Sequence, residues 1–282
     1  MSVHVVRAGP LTTVQDLGRP GYAHLGVPPS GALDMPSLRR ANRLVGNSDG
    51  SAALEVTLGG LEIELGRPAY VAVTGAEVPV RGVTYDEVTR VEPGDRVRLG
   101  TARRGVRAYV AIAGGIDVAP VLGSRSTDIL SGLGPPVVAD GVALPLGSQR
   151  TPTGAARIDH TPLHDEVTVT LHPGPRSDWL TDHNRLYEIT WTVSAQSNRV
   201  GLRLNGSALP RREGELASEG IVTGAVQLPT SGEPLIFLAD HPTTGGYPMI
   251  GVVDEAALPL LAQARPGSRL RFTPSEWLRT PA

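Results

Sequence analysis

Apolar residues in this chain fall in short runs rich in Val, Ile, Leu and Thr, each bounded by Gly, Pro, Asp or Asn. In the first half the runs are residues 3–6, Ala53–Leu58, Leu61–Leu65, Tyr70–Thr74, Arg96–Leu99 and Val106–Ala113. In the second half they are Glu166–Leu171, Tyr187–Val193, Ala225–Leu228, Pro234–Ala239, Ile250–Val253 and Arg269–Phe272. Turn signals such as Glu92-Pro93-Gly94-Asp95 separate them, and this density of short strands predicts a sandwich or barrel. Only two segments carry a helical period. Residues 36–45 place Leu38, Ala41, Leu44 and Val45 on one face and Arg39, Arg40 and Arg43 on the other, a solvated face. Pro36 suits the first turn of that helix, and Gly46 and Asn47 end it. Leu258–Ala264 is the second, with Pro259 in its first turn.

Two long stretches show neither period. Residues 12–34 (TTVQDLGRPGYAHLGVPPSGALD) interleave Gln15, Asp16, Arg19 and His24 with Gly18, Gly21, Gly26 and Gly31, and read as an ordered loop. Residues 218–248 (SEGIVTGAVQLPTSGEPLIFLADHPTTGGYP) gather Glu219, Gln227, Asp240, His241 and Tyr247 around one buried strand, with glycines on both sides. Glycine lets a backbone turn tightly or approach a ligand closely. Both stretches are therefore candidates for a site, and equally for tight turns around core strands. Asp16 and Arg19 either clip their own loop or present a carboxylate and a guanidinium to a ligand. Glu219 and Arg203 carry the same two readings. Residues 121–128 (VLGSRSTD) form either an anion cradle or a Ser/Thr-rich turn capped by Arg125. The small, polar residues 147–161 are the best linker candidate. Val27-Pro28-Pro29-Ser30-Gly31 echoes Leu228-Pro229-Thr230-Ser231-Gly232, which agrees with two similar β units.

Composition narrows the chemistry. The 282 residues hold 34 Gly and 25 Pro, and 40% are hydrophobic, enough to bury a core. A net charge of −2 gives no support to nucleic-acid binding. No apolar run is long enough to span a bilayer, and the N-terminus lacks the pattern of a signal peptide, so a cytoplasmic protein is expected. There is no Cys and no Lys: all 26 cationic side chains are Arg. Thiol nucleophiles, disulfides, thiolate metal sites, a Walker-A lysine, a Schiff-base lysine and a biotin-attachment lysine are all excluded. Among the seven His no HExxH or His-x-His pair occurs, so no metal site is expected. Residues 132–136 (GLGPP) do not open a helix and are no dinucleotide fingerprint. A Ser218/His241/Asp240 triad can be written, but adjacent Asp and His side chains rarely aim at each other.

The segments QDLGRPGYAHLGVPPSGALD, LGSRSTD, SNRVGLRL, SEGIVTGAVQLP and DHPTTGGYP resemble the signatures of the biotin-dependent carboxyltransferase-like family, also called allophanate hydrolase subunit 2. The resemblance covers nearly the whole chain. It implies a mainly β fold of two cyclophilin-like β-barrel subdomains with a few short helices, residues 1–155 and 156–282. It also implies a related β-barrel partner, of the type of the 5-oxoprolinase B subunit or allophanate hydrolase subunit 1. One local departure is Ala257, where similar chains carry an acidic helix cap; its loss costs about 1 kcal/mol.

Family members include the C subunit of 5-oxoprolinase and the Kip antagonist. The resemblance thus implies a subunit of an ATP-dependent enzyme that opens the lactam of 5-oxoproline, with ATP shared with the partner subunit. The alternatives are a regulatory binding protein of the Kip antagonist type, or a carboxyltransferase component of a urea carboxylase or allophanate system. No biotin can be attached to this chain. Carried over residue by residue, Asp16, Arg19, Asp240 and His241 take catalytic positions. Gln15, Arg125, Ser126, Asn198, Arg199, Arg203, Glu219, Gln227 and Tyr247 take substrate-binding ones. These lie far apart in sequence, and loops of both halves are expected to feed one site.

Overall fold

Strands whose alternate residues are apolar can bury one face only against a second layer, and the first half of the chain does so with two sheets. The structure is a computed structural model and describes residues 2–148, 152 and 160–275. The chain forms two compact units, one of residues 1–20 and 30–163, the other of residues 21–29 and 164–282. The expected linker at 147–161 and the boundary at 155 lie largely outside the described residues.

The first unit holds β1 (Ser2–Arg7), β2 (Leu11–Gln15), helix α1 (Met35–Leu44), β3 (Ala53–Thr57), β4 (Glu62–Leu65) and β5 (Ala69–Glu77). It continues with β6 (Val80–Arg81), β7 (Thr89–Val91), β8 (Arg96–Leu99), β9 (Arg104–Ile112) and β10 (Ala143–Pro145). The strands pair in two five-stranded sheets, ordered β10-β1-β4-β8-β6 and β2-β3-β9-β5-β7. Between them lies one core. Val3, Val5, Ile63, Leu65, Val97 and Leu99 face Val14, Leu54, Val56, Val71, Val73, Val110 and Ile112. The second sheet is covered on its other face too, where Leu38, Ala41, Leu44 and Val45 of the α1 segment pack on Ala53, Ala72, Tyr109 and Ala111. This double covering explains why β9 is buried at eight successive residues rather than at every second one.

The expected strands at 3–6, 53–58, 61–65, 70–74, 96–99 and 106–113 all appear, with ends shifted by a few residues. Residues 12–34 are not loop throughout. Leu11–Gln15 is β2, which pairs antiparallel with β3, so Gln15 ends a strand. Its polar spelling, LTTVQ, hides the strand because its Thr hydroxyls and the Gln amide are bonded inside the protein.

The second unit holds β11 (Glu166–Pro173), α2 (His183–Glu188), β12 (Trp191–Val193), β13 (Gly201–Asn205), β14 (Glu219–Gly220) and β15 (Ala225–Gln227). Then follow β16 (Leu235–Phe237), β17 (Thr244–Gly245), β18 (Met249–Val253), α3 (Leu258–Gln263) and β19 (Arg269–Pro274). Seven strands close a barrel in the order β11-β18-β15-β16-β13-β12-β19. The pair β11–β19 is parallel, and the other barrel pairs are antiparallel. Closure leaves no edge strand. One expectation fails here. Tyr187 and Glu188 belong to α2, capped by the Asp182 carboxylate on the Arg185 N–H, and the strand starts only at Trp191. Helix α3 is entered from Ala257 without any side-chain cap, as the missing acid there leads one to expect. Among the described residues no helix is long and apolar enough to cross a membrane.

A buried polar network fastens α1 to the doubly covered sheet. The Asp34 carboxylate accepts from the Ser37 N–H at 3.1 Å, the Ser37 hydroxyl at 2.7 Å and the Thr161 hydroxyl at 2.7 Å. The Asp34 N–H donates to the Tyr109 hydroxyl at 2.8 Å, and Tyr109 donates to Glu55 Oε2 at 2.7 Å. Arg107 lies 3.8 Å from the other oxygen of Glu55. Full burial, and then the charge on Glu55, push the Tyr109 phenol well above its ordinary pKa. A group with a raised folded pKa keeps its stabilising effect below the unfolded value, about 10 for Tyr, and loses it as pH rises further. Tyr109→Phe should therefore cost about 1–3 kcal/mol at pH 8. It should also make the alkaline loss of stability shallower, leaving the contributions of Tyr85 and Tyr187, which are raised as well. Urea midpoints measured at pH 8 and 10.5 check this. A parallel fall in both proteins would show that Tyr109 does not couple folding to pH.

Candidate functional site

The first signature loop is organised by one carboxylate. Asp16 follows β2 directly and is 6% exposed. Its Oδ1 accepts from the Gly18 N–H at 2.8 Å and from the hydroxyls of Ser124 and Ser126, both at 2.6 Å. Its Oδ2 accepts from the Arg125 N–H at 2.6 Å. Four donors meet one carboxylate, and three of them come from residues more than 100 positions away. Arg19 does not pair with Asp16. It is 2% exposed and donates to the carbonyls of Val121, at 3.3 Å, and Ser126. Asp16 and Arg19 thus fold residues 121–128 onto the first loop from two directions. Glycines make room for this. Gly31 has φ +91°, and a Cβ there would lie 2.8 Å from the Gly18 nitrogen. At Gly134, φ +85°, a Cβ would lie 2.0 Å from the Ser126 carbonyl that Arg19 binds.

Gln15 is fully buried beneath this loop. Its amide nitrogen donates to Thr127 O at 2.9 Å and Thr13 Oγ1 at 3.0 Å, while its Oε1 has no hydrogen-bond partner. Ser126 is fully buried. Arg125 is partly exposed, donating to Val118 O and Asp117 Oδ1, each at 2.8 Å. Of the two readings of residues 121–128, the hydrogen bonds show a Ser-rich turn wrapped on an aspartate, with the Arg125 side chain turned to Asp117.

The second unit repeats the principle with opposite partners. Arg199 is 1% exposed and Asp240 is not exposed at all. Arg199 Nε and Nη2 meet the two carboxylate oxygens of Asp240 at 2.8 and 2.9 Å, a two-point pair. The Asp240 N–H also donates to the Arg199 carbonyl at 3.2 Å, so backbone and side chains clamp the same two loops. Asp240 therefore faces Arg199 and not its neighbour His241, which removes the geometry a Ser218/His241/Asp240 triad needs. His241 is buried, with Nδ1 2.8 Å from the Pro242 carbonyl and Nε2 3.2 Å from Thr223 Oγ1. A carbonyl only accepts, so the proton sits on Nδ1, and in the neutral ring Nε2 accepts from Thr223.

The remaining candidates belong to the same unit. Asn198 is exposed, and its side chain turns the loop by accepting from the Val200 and Gly201 N–H groups. Arg203 on β13 presents an exposed side chain with no ion-pair partner among the described residues. Glu219 does not meet Arg203. It pairs with Arg176, whose bonded guanidinium holds the Glu219 carboxyl below its ordinary range. Gln227 donates to the Tyr247 carbonyl at 3.3 Å, and Tyr247 is 46% exposed. Arg176 and Thr223 were not singled out from the sequence. Thr223 lies inside a signature segment, whereas Arg176 lies outside all of them.

The arrangement sorts the charged candidates by what they can do. Arg19, Arg199, Asp16 and Asp240 are committed to folding the loops. Arg203 and Tyr247 are presented to solvent. Breaking a buried ion pair leaves an uncompensated charge, so Arg199→Ala should destabilise by about 3–5 kcal/mol, and Arg199→Met with Asp240→Leu should recover much of that loss. Arg203→Ala should leave the melting temperature near that of the parent. Thermal and urea unfolding of the three variants check this. An Arg199→Ala protein as stable as the parent would remove the structural reading of the pair.

The comparisons with known proteins fit this construction. Residues 25–274 match the model of the carboxyltransferase domain, subdomain A and B. The chain is 39% identical to the C subunit of 5-oxoprolinase from Escherichia coli (strain K12), over 95% of this chain and 89% of that protein. It is 33% identical to the C subunit of 5-oxoprolinase from Haemophilus influenzae, over 92% of this chain and 87% of that one. The crystal structure of the K. lactis urea amidolyase superposes with a TM-score of 0.89 at 31% identity, over 97% of this chain but only 18% of that much longer one. The chain belongs to the family of carboxyltransferase domains, subdomains A and B.

Proposed function

We propose that this member of the carboxyltransferase subdomain A and B family is one subunit of an ATP-dependent 5-oxoprolinase, working in the cytoplasm with a smaller β-barrel partner. The observation that carries the reading is one of length. The chain matches most of two proteins named as the C subunit of 5-oxoprolinase, whereas it matches only a small module of the urea amidolyase.

The lactam of 5-oxoproline is a poor electrophile. Transfer of the ATP γ-phosphoryl group to its amide oxygen makes that carbon reactive. Water then adds to that carbon, the C–N bond breaks and the amine takes a proton, which leaves an acyl phosphate; a second water cleaves the acyl phosphate, and glutamate, ADP and phosphate leave. The chemistry needs cations for phosphate or carboxylate and a proton acceptor near the attacked carbon. In this chain Arg203 fits the first need because it is exposed and not already paired. His241 places Nδ1 against the Pro242 carbonyl, to which it donates, and Thr223 lies against its other ring nitrogen. Asp240 and Arg199 position the segment that carries His241. The chain has neither a Lys nor a phosphate-binding loop of the Walker type, so part of the nucleotide site is assigned to the partner.

A second reading is a carboxyltransferase component that serves a biotin carried on another chain. The matching family model and the urea amidolyase structure favour it. A third, regulatory binding of a protein partner, requires no turnover.

The test is release of phosphate that depends on both ATP and 5-oxoproline, from the chain alone and after co-expression with its partner. The expected result is turnover only with both chains. Full turnover by the isolated chain would overturn the shared site. Biotin-dependent carboxyl transfer without lactam opening would favour the second reading. In the active complex Arg203→Ala should lower kcat/KM about 100-fold, because a charge-assisted contact in a transition state is worth a few kcal/mol. Unchanged kcat/KM would remove Arg203 from the site.

A further inference from the structure

On the outer face of the sheet β10-β1-β4-β8-β6, four charged side chains stand in one row across four strands. Arg7 on β1 is opposite Glu62 on β4, Glu62 is opposite Arg98 on β8, and Arg98 is opposite Arg81 on β6. Arg7 reaches this face through a β-bulge. Val5 pairs with Ile63 and Arg7 with Glu62, so one extra residue lies in β1 between them. In a regular ladder, with no bulge, Arg7 would share the core face with Val5, since side chains alternate along a strand. Bulges re-aim side chains in this way.

The row is unbalanced. One oxygen of Glu62 meets both Arg98, at 3.1 Å, and Arg96 of the adjacent row, at 3.0 Å, so its charge is already answered. Arg7 and Arg81 have no ion-pair partner among the described residues, and Arg81 stands directly opposite another arginine. Like charges facing each other across strands are destabilising. A chain of net charge −2 thus places uncompensated positive charge on one sheet face. A cleft of about 430 Å³ opens over the row, lined by Arg7, Glu62, Arg81, Arg98 and Thr101, with Leu61 and Leu99 among its walls. That is within the size range of small-molecule sites. The first signature loop leaves from the other sheet, at the end of β2.

We propose that this cleft binds a small polyanion carrying a diphosphate group, free or at the end of a nucleotide. A row of arginines spread over roughly 10–15 Å, three strand spacings, matches charge strung along a phosphate chain better than a single anionic group. Guanidinium groups bind phosphate oxygens two at a time. The lining has no aromatic ring to stack on a base, so recognition rests on the phosphates. The inference is independent of the reaction proposed above, because none of these residues lies in the signature loops.

Isothermal titration of the full-length chain with pyrophosphate, ADP, AMP and adenosine tests it. Pyrophosphate and ADP should bind, adenosine should not, and AMP should bind at least tenfold more weakly. Equal affinity for pyrophosphate and ADP assigns the site to a free diphosphate; tighter ADP binding assigns it to a nucleotide tail. Arg7→Gln and Arg81→Gln should each weaken pyrophosphate binding tenfold or more. Arg81→Gln should at the same time melt no lower than the parent, because a like-charge contact is removed. Binding that survives both substitutions, or that is lost only in Arg203→Ala, overturns the proposal. So does equal affinity for a dicarboxylate such as glutamate, which would show that the cleft does not select phosphate.

Discussion

A charge taken out of water must be met by its complement, and both signature loops of this protein are built on that requirement. Removing a carboxylate or guanidinium from solvent costs several kcal/mol, which is offset only when geometry and hydrogen bonds are nearly complete. Asp16 meets the condition with four donors and Asp240 with a two-point guanidinium. Three of the donors to Asp16, and the guanidinium on Asp240, come from a distant part of the chain. The loops carry few apolar residues and many glycines, so hydrophobic burial alone would hold them weakly. The buried charges supply the missing definition.

This changes how the polar residues of the signatures are to be read. A charged residue in a glycine-rich loop suggests contact with a ligand, yet Arg19 and Arg199 are among the largest fully or almost fully buried side chains of the protein. Their work is to hold the loops so that less conspicuous groups are presented in a fixed place. Around them Arg203 and Tyr247 remain exposed to solvent, whereas His241 is itself buried.

The outer face of the first unit shows the opposite situation. There, arginines stand together in solvent where alternating signs would have been easy to arrange. Local choices in a protein normally agree with its stability, and places where they do not are where function is to be sought. The bulge in β1 sharpens the point, since it costs a regular ladder and brings one more arginine to the row.

Much of this protein was legible in its residues. Short runs separated by Gly and Pro marked most of the strands, the apolar stripe marked α1, and the five signature segments marked the family. The absence of Lys and Cys excluded whole classes of chemistry. These features are local or compositional, and local physics suffices to read them. The strand β2 was hidden because its polar residues are satisfied inside the fold, and the helix at Tyr187 because a cap at Asp182 outweighed a β-like run. The partners of the charged residues were hidden for a deeper reason. Asp16 stands near Arg19 in sequence, and Glu219 and Arg203 carry opposite charges in the same half of the chain, but a pair inside the protein is set by which loops converge. That convergence joined Asp16 to residues 124–126, Glu219 to Arg176 and Asp240 to Arg199. The amino-acid sequence determined which charges must find partners once buried; only the tertiary structure decided which partner each one finds, because electrostatic attraction acts across space and takes no account of separation along the chain.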